Sequence, residues 1–250
     1  MPSIRGRRGF FAVMLAVTLG GIASASGPVQ IAPSSDPKDI SGTWFGVGNQ
    51  DPANARFVPV EGGEPPFNAA GRAILDHRNA LNAAGHPERQ PADECMPHGL
   101  PAALRLPTPF EIIQTPGQTT ILTEASRTVR TVVMDKPHPA QVERRFMGNS
   151  VGHWEGDTLV VDTTAMRANW LDISGAPASN TRHVIERYRK IDGNKKLEVL
   201  ITIDDPVYYT RSWTARREYL WYPAERVREY ICEEGARLEP GVERLRYRDE

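Results

Sequence analysis

The chain has 250 residues, a near-balanced charge (30 Lys+Arg against 31 Asp+Glu, net −1) and only two cysteines. That length can bury a sizeable core without a framework of several disulfides. Mild acidity argues against a nucleic-acid or anionic-membrane partner, since either calls for a basic face.

Residues 1–25 read as a cleavable export signal. Arg5, Arg7 and Arg8 give a positive start, Phe10 to Ile22 is apolar or small, and Ala23-Ser24-Ala25 has the small-x-small pattern of a cleavage site. The alternative is an uncleaved anchor, but the apolar run falls short of the roughly 20 residues a membrane span needs. Arg7-Arg8-Gly9-Phe10-Phe11 also resembles a twin-arginine signal. Cleavage removes three arginines and no acid, moving the net charge from −1 to −4. The predicted location is periplasmic or secreted, with no integral membrane segment in the mature chain. Residues 26–40, rich in Pro, Ser and Asp, read as a flexible lead; 41–238 form a single domain and 239–250 a polar tail.

The domain opens at Gly42-x-Trp44, which looks like the first-strand motif of lipocalin-type barrels, where the Trp plugs one end. Ala70, Ala73, Ile74, His77 and Leu81 then fall at helical spacing, with Asn68 as cap and Gly85 as stop. Residues 86–109 hold many prolines and Cys95, and predict a long irregular segment. From Phe110 onward the chain reads as strands: 110–114, 119–123, 128–133, 150–154 and 158–163. Two more hairpins follow, 183–188 with 197–203 and 213–222 with 226–232, each across a Gly- or Pro-containing turn. Such an order predicts a mainly β, antiparallel, lipocalin-like closed barrel of roughly eight to ten strands with one short helix. A two-sheet β-sandwich is the alternative.

Cys95 and Cys232 are an even pair, which in an oxidising compartment reads as one disulfide. The other reading is two free thiols, with Cys95-x-x-His98 as half of a metal site; two ligands do not make one.

Two longer motifs carry a resemblance. These are Pro109-Phe110-Glu111-Ile112-Ile113-Gln114-Thr115-Pro116-Gly117 and the run from Met147-Gly148-Asn149 through His153-Trp154-Glu155-Gly156-Asp157 to Asp162-Thr163. With Trp170-Leu171-Asp172, His183 to Arg187, Ile203 to Pro206 and Cys232-Glu233-Glu234, they resemble a family of mostly uncharacterised exported bacterial proteins. The resemblance covers roughly the last 140 residues and implies a secreted barrel-like domain, but little chemistry. Relatives often carry His and Arg where this chain has Asn149 and His153, so a role for those side chains does not transfer.

Strand alternation puts Asn149, Val151 and His153 on one face, and Ser150, Gly152 and Trp154 on the other. Asp162 interrupts an apolar strand: it either turns outward or is buried with an Arg or His partner. His138, between Pro137 and Pro139, is rigidly held in a loop, as a general acid or base should be. At their spacing His183 and Glu186 face opposite ways, so one of them points inward. Asp204-Asp205-Pro206-x-Tyr208 is either a polar pocket end or a capped turn. Trp154, Trp170 and Trp213 are candidate cavity-lining aromatics, although core packing is the commoner use. The sequence holds no nucleophile elbow, phosphate loop, dinucleotide fingerprint or zinc motif. The expectation is therefore an exported barrel acting on a small organic molecule in its cavity by cofactor-free acid–base chemistry, of lyase, isomerase, cyclase or hydrolase type. His138, His153, Asp162, His183 and Tyr208 are the catalytic candidates, and Trp154, Trp170, Trp213 and Asp204 the ligand-binding ones. The alternative is a non-catalytic carrier of an apolar or aromatic ligand.

Overall fold

A computed structural model describes residues 32–48, 56–125, 128–230 and 232. The predicted signal, the start of the lead and the tail lie outside these residues. The elements in chain order are β1 (Gly42–Gly46), α1 (Ala69–Ala83), β2 (Phe110–Thr115), β3 (Gln118–Thr123), β4 (Thr128–Met134), β5 (Asn149–Glu155) and β6 (Thr158–Thr164). There follow β7 (Asn169–Trp170), β8 (Pro177–Ala178), β9 (His183–Ile191), β10 (Lys196–Asp204) and β11 (Trp213–Trp221). Nine strands close into a barrel in the order β1-β11-β10-β9-β6-β5-β4-β3-β2, and β7 pairs with β8 apart from it. The closed barrel stands, and the sandwich does not.

One seam departs from the antiparallel expectation. β4 and β5 run parallel, and they pair only from Val132↔Ser150 to Met134↔Gly152. A parallel neighbour needs a long crossover, and residues 135–148 supply it. The β5–β6 and β9–β10 hairpins form as predicted, with left-handed residues at Gly156 and at Asp192, Gly193 and Asn194 making the tight turns. The predicted strand over 226–232 is not seen in its described residues, 226–230 and 232. β11 already has β1 along that edge (Trp44↔Trp221), and Tyr222 N–H closes the ladder onto Thr43 O at 2.9 Å.

Alternation decides what fills the barrel. Trp44, Phe110, Tyr188 and Tyr219 are buried inside, with Phe110 and Tyr219 edge to face at 4.8 Å. Trp44 donates Nε1–H to Ile40 O at 2.9 Å and so closes one end. Gly42, at φ +122, has the Trp221 ring 2.2 Å from where a Cβ would stand, which accounts for the Gly-x-Trp spacing. Four strands also contribute polar side chains to one buried cluster. Arg130 (β4) and Glu186 (β9) form a bidentate pair, with Nη1 on Oε1 at 3.1 Å and Nη2 on Oε2. Arg130 also donates to Ser150 Oγ (β5) at 3.0 Å and Thr163 Oγ1 (β6) at 2.7 Å. Burial works against the charge on Arg130, but the facing Glu186 outweighs it and holds the guanidinium pKa above its ordinary value.

The described end of the lead is held against the barrel rather than loose. Lys190 Nζ donates to Ser34 O and Asp39 O at 2.7 and 2.8 Å, and Ile40 N–H donates to Gln114 Oε1 at 2.7 Å. Helix α1 is capped by Asn68, whose Oδ1 accepts from Gly71 N–H at 3.0 Å. Its packed stripe is rotated from the expected one. Gly71 and Leu75 are buried, while Ala70, Ala73 and His77 are exposed. Gly71 decides this, because its bare Cα lies against Tyr208 O, where a Cβ would stand at 2.3 Å. The Cys95–Cys232 disulfide forms across 137 residues and pins the irregular segment to the chain end. Among the described residues no helix is long and apolar enough to cross a membrane.

Removing one partner of the Arg130–Glu186 pair strands a buried charge. Arg130→Met is expected to cost about 3–5 kcal/mol in urea unfolding, and adding Glu186→Leu to recover most of it. Reducing the disulfide is expected to cost about 5 kcal/mol on the chain-entropy relation for a loop of this size, read as a fall in thermal midpoint.

Candidate functional site

The register that sends Ser150, Thr163 and Glu186 inward sends Asn149, Asp162 and His183 to the outer wall. Val151, Asp162 and Ile185 are consecutive cross-strand partners there, so the site spreads over three adjacent strands. His138 arrives from the crossover. Asp135 N–H extends the β4–β5 ladder by bonding Gly152 O at 2.8 Å, and its backbone then turns left-handed (φ 56). The following Pro137-His138-Pro139 carries the imidazole over the outside of the barrel, with both flanking φ angles fixed by proline rings. Gly148 (φ +67) delivers the chain into β5 where a Cβ would meet Thr164 O at 2.6 Å and Met166 Cγ at 2.7 Å. Asn149 is placed beside His138 by that close approach.

His138, Asp162 and His183 come together. His183 Nε2 lies 2.6 Å from Asp162 Oδ1, and His138 Nε2 lies 3.0 Å from the same oxygen. His138 Nδ1 lies 2.9 Å from Asn149 Oδ1, with Thr164 Oγ1 at 3.5 Å. An amide carbonyl oxygen only accepts, so the facing nitrogen is the protonated one. Both nitrogens of His138 thus face acceptors. Neither histidine is deeply buried: side-chain exposure is 25% for His138 and 37% for His183, with Asp162 at 36%. At that exposure the ion pairs add little stability, about 0–1 kcal/mol each, so the cluster is not there to hold the fold. His183 also lines a cleft of about 560 Å³ with Arg144, Thr164, Asn180, Thr181 and Arg182. Arg182 is structural, with its donors spent on the carbonyls of Leu100, Arg167 and Ser179; burial brings its pKa down to about 10. Arg144 is exposed, and its guanidinium has no ion pair among the described residues.

The remaining candidates lie elsewhere. These candidates do not line a barrel cavity, because the inward positions of β5, β6 and β9 belong to the polar cluster and the core. His153 also faces out, but it bonds Glu155 Oε1 at 3.1 Å, and Arg187 holds that same carboxylate at 2.5 Å. Tyr208 and Trp170 line a different cleft beside α1, where Arg78 covers the Trp170 ring at 4.8 Å. Trp213 is 2% exposed, packed on Tyr209 at 5.7 Å, and Trp154 is half-buried against the core; alternation makes both packing residues. Asp204 is the exposed cross-strand partner of His183, with no bond to it. Its neighbour Asp205 does the capping, accepting from Ser179 N–H and Oγ–H at 2.7 Å each. Sequence reasoning missed Asn149 and Arg144. Alternation grouped Asn149 with Val151 and His153, and the cross-strand pairing of Val151 with Asp162 puts that face beside Asp162.

No known family model matches this chain, and no curated protein is significantly similar to it.

If one carboxylate oxygen bridges two imidazoles, Asp162→Asn should shift the Nε2 resonances of both His138 and His183 in long-range ¹H–¹⁵N spectra. Asn149→Leu should move those of His138 alone.

Proposed function

We propose that the protein is exported and performs cofactor-free acid–base chemistry on a small organic molecule at the outer face of the barrel, with His183 as the base. The observation that carries this reading is the unequal use of the two imidazoles. Both nitrogens of His138 are engaged, whereas His183 has only Nε2 engaged and keeps Nδ1 without a hydrogen-bond partner among the described residues. A neutral His183 donating Nε2–H to Asp162 presents its Nδ1 lone pair beside a cleft that it lines. When Nδ1 takes a proton from the substrate, Asp162 stabilises the resulting imidazolium without moving. His138, fixed by Asn149, keeps that carboxylate oriented. Arg144 on the same cleft offers a positive charge to an oxyanion formed as the proton leaves. Returning the proton to a neighbouring carbon is isomerisation; expelling a leaving group from that carbon is elimination.

Export is supported by the Arg5 to Ala25 pattern, by the family resemblance of the 147–163 motif and by the disulfide, which persists in oxidising compartments. Metal-free exchange of carbon-bound hydrogen tests the chemistry. A panel of small carbonyl compounds and β-substituted acids is incubated with the protein in D₂O and followed by ¹H NMR. Exchange or elimination is expected for at least one compound, falling 10²–10⁴-fold in His183→Ala and unchanged in His153→Ala. Binding without exchange across the panel supports the carrier reading instead. Equal rates in wild type and His183→Ala remove His183 as the base.

A further inference from the structure

The parallel seam leaves the barrel wall incompletely paired. β4 has β3 along one edge from Thr128 to Val133, but β5 joins the other edge only at Val132. Among the described residues, Thr128–Thr131 therefore have no strand partner on that side. The incoming chain at Arg145–Asn149 stands off from them across a cleft of about 470 Å³, with Phe146 and Met147 on the far wall. An open strand edge is a template for another extended chain, and at about 3.3 Å per residue this one accommodates roughly four residues.

The chemistry of the walls narrows the occupant. Arg130, Arg145 and Arg167 line the cleft, and no Asp or Glu does. Arg130 is committed to Glu186. Arg145 has one loose ion pair, 3.7 Å to Glu143, and its side chain is 72% exposed. Arg167 lies over the Phe146 ring at 5.5 Å and donates Nε–H to Arg144 O at 3.1 Å, with no carboxylate partner among the described residues. Two guanidinium groups are thus available to an anion. Thr128, 9% exposed and in the same wall, has a buried Oγ1 with no hydrogen-bond partner among the described residues. Beside the edge, Val129 is 65% exposed, the most exposed large hydrophobic residue among those described.

We propose that this seam is a docking groove for an extended acidic peptide, which adds as a strand along Thr128–Thr131 and places its carboxylates on Arg145 and Arg167. Main-chain pairing supplies the affinity; the arginines and the Phe146–Met147 wall supply the selectivity, as in other cases of strand addition. The groove is distinct from the cleft that His183 lines, with Asn149, which holds His138, the one residue of that cluster on its wall.

The probe is a fluorescein-labelled peptide alternating Val and Glu, six residues long, followed by fluorescence anisotropy with the purified protein. Saturable binding is expected, at least tenfold weaker in Arg145→Glu and in Arg167→Glu and weaker at high salt, with the thermal midpoint of both variants unchanged. The same peptide with alternate backbone nitrogens methylated should not bind, and neither should a Val-Lys peptide. The proposal is overturned by no saturation at millimolar protein or by unchanged affinity in both variants. Equal binding of the methylated peptide also overturns it, by reducing the groove to a site for free anions.

Discussion

The buried pairing of Arg130 with Glu186 organises this barrel. A guanidinium and a carboxylate taken out of water are tolerated only when every donor and acceptor finds a partner, and here the partners come from four strands. β4 supplies Arg130, β5 Ser150, β6 Thr163 and β9 Glu186. A slip of one residue in any of these strands would send its polar group out to the wall and bring an outer residue in. The cluster therefore specifies register across the short, three-residue parallel contact between β4 and β5.

The outer cluster follows from the inner one. With Ser150 and Thr163 committed inward, their chain neighbours Asn149, Asp162 and Thr164 must face out, and Glu186 likewise sends His183 outward. Those side chains form one patch, over which the proline-flanked crossover lays His138. The arrangement that makes the seam short also supplies the crossover, since a parallel neighbour requires the chain to travel back along the barrel. Side chains carried on adjacent strands of a register-locked sheet are held more tightly than groups on free loops, which suits the proposed proton transfer.

How much of this could be read in advance depended on whether the signal was local. Asp162 was marked by its apolar neighbours, His138 by its two prolines, and the opposition of His183 and Glu186 by a spacing of three in a strand. Alternation also put Asn149 and Ser150 on the correct opposite faces. What alternation lacks is an absolute sign: it says which residues share a side, not which side is the core. Here the side bearing His and Asp was expected to be the cavity, and the decisive fact, that Arg130 is the partner of Glu186, joins residues 56 positions apart. The same limit explains the other differences. The 226–232 strand reads well in isolation, but β1 already occupies the edge of β11. The stripe on α1 is turned because Gly71 packs against Tyr208 O, a contact from the far end of the chain.

His183 presents an unengaged ring nitrogen among the described residues, while His138 presents none. Acylation by diethyl pyrocarbonate, which needs a free imidazole lone pair, reads this directly when modified residues are followed in time by peptide mass spectrometry. Fast modification of His183 and slow modification of His138 are expected, with His138 released in Asp162→Asn. Modification of His138 at the rate of His183 in the native protein would contradict it.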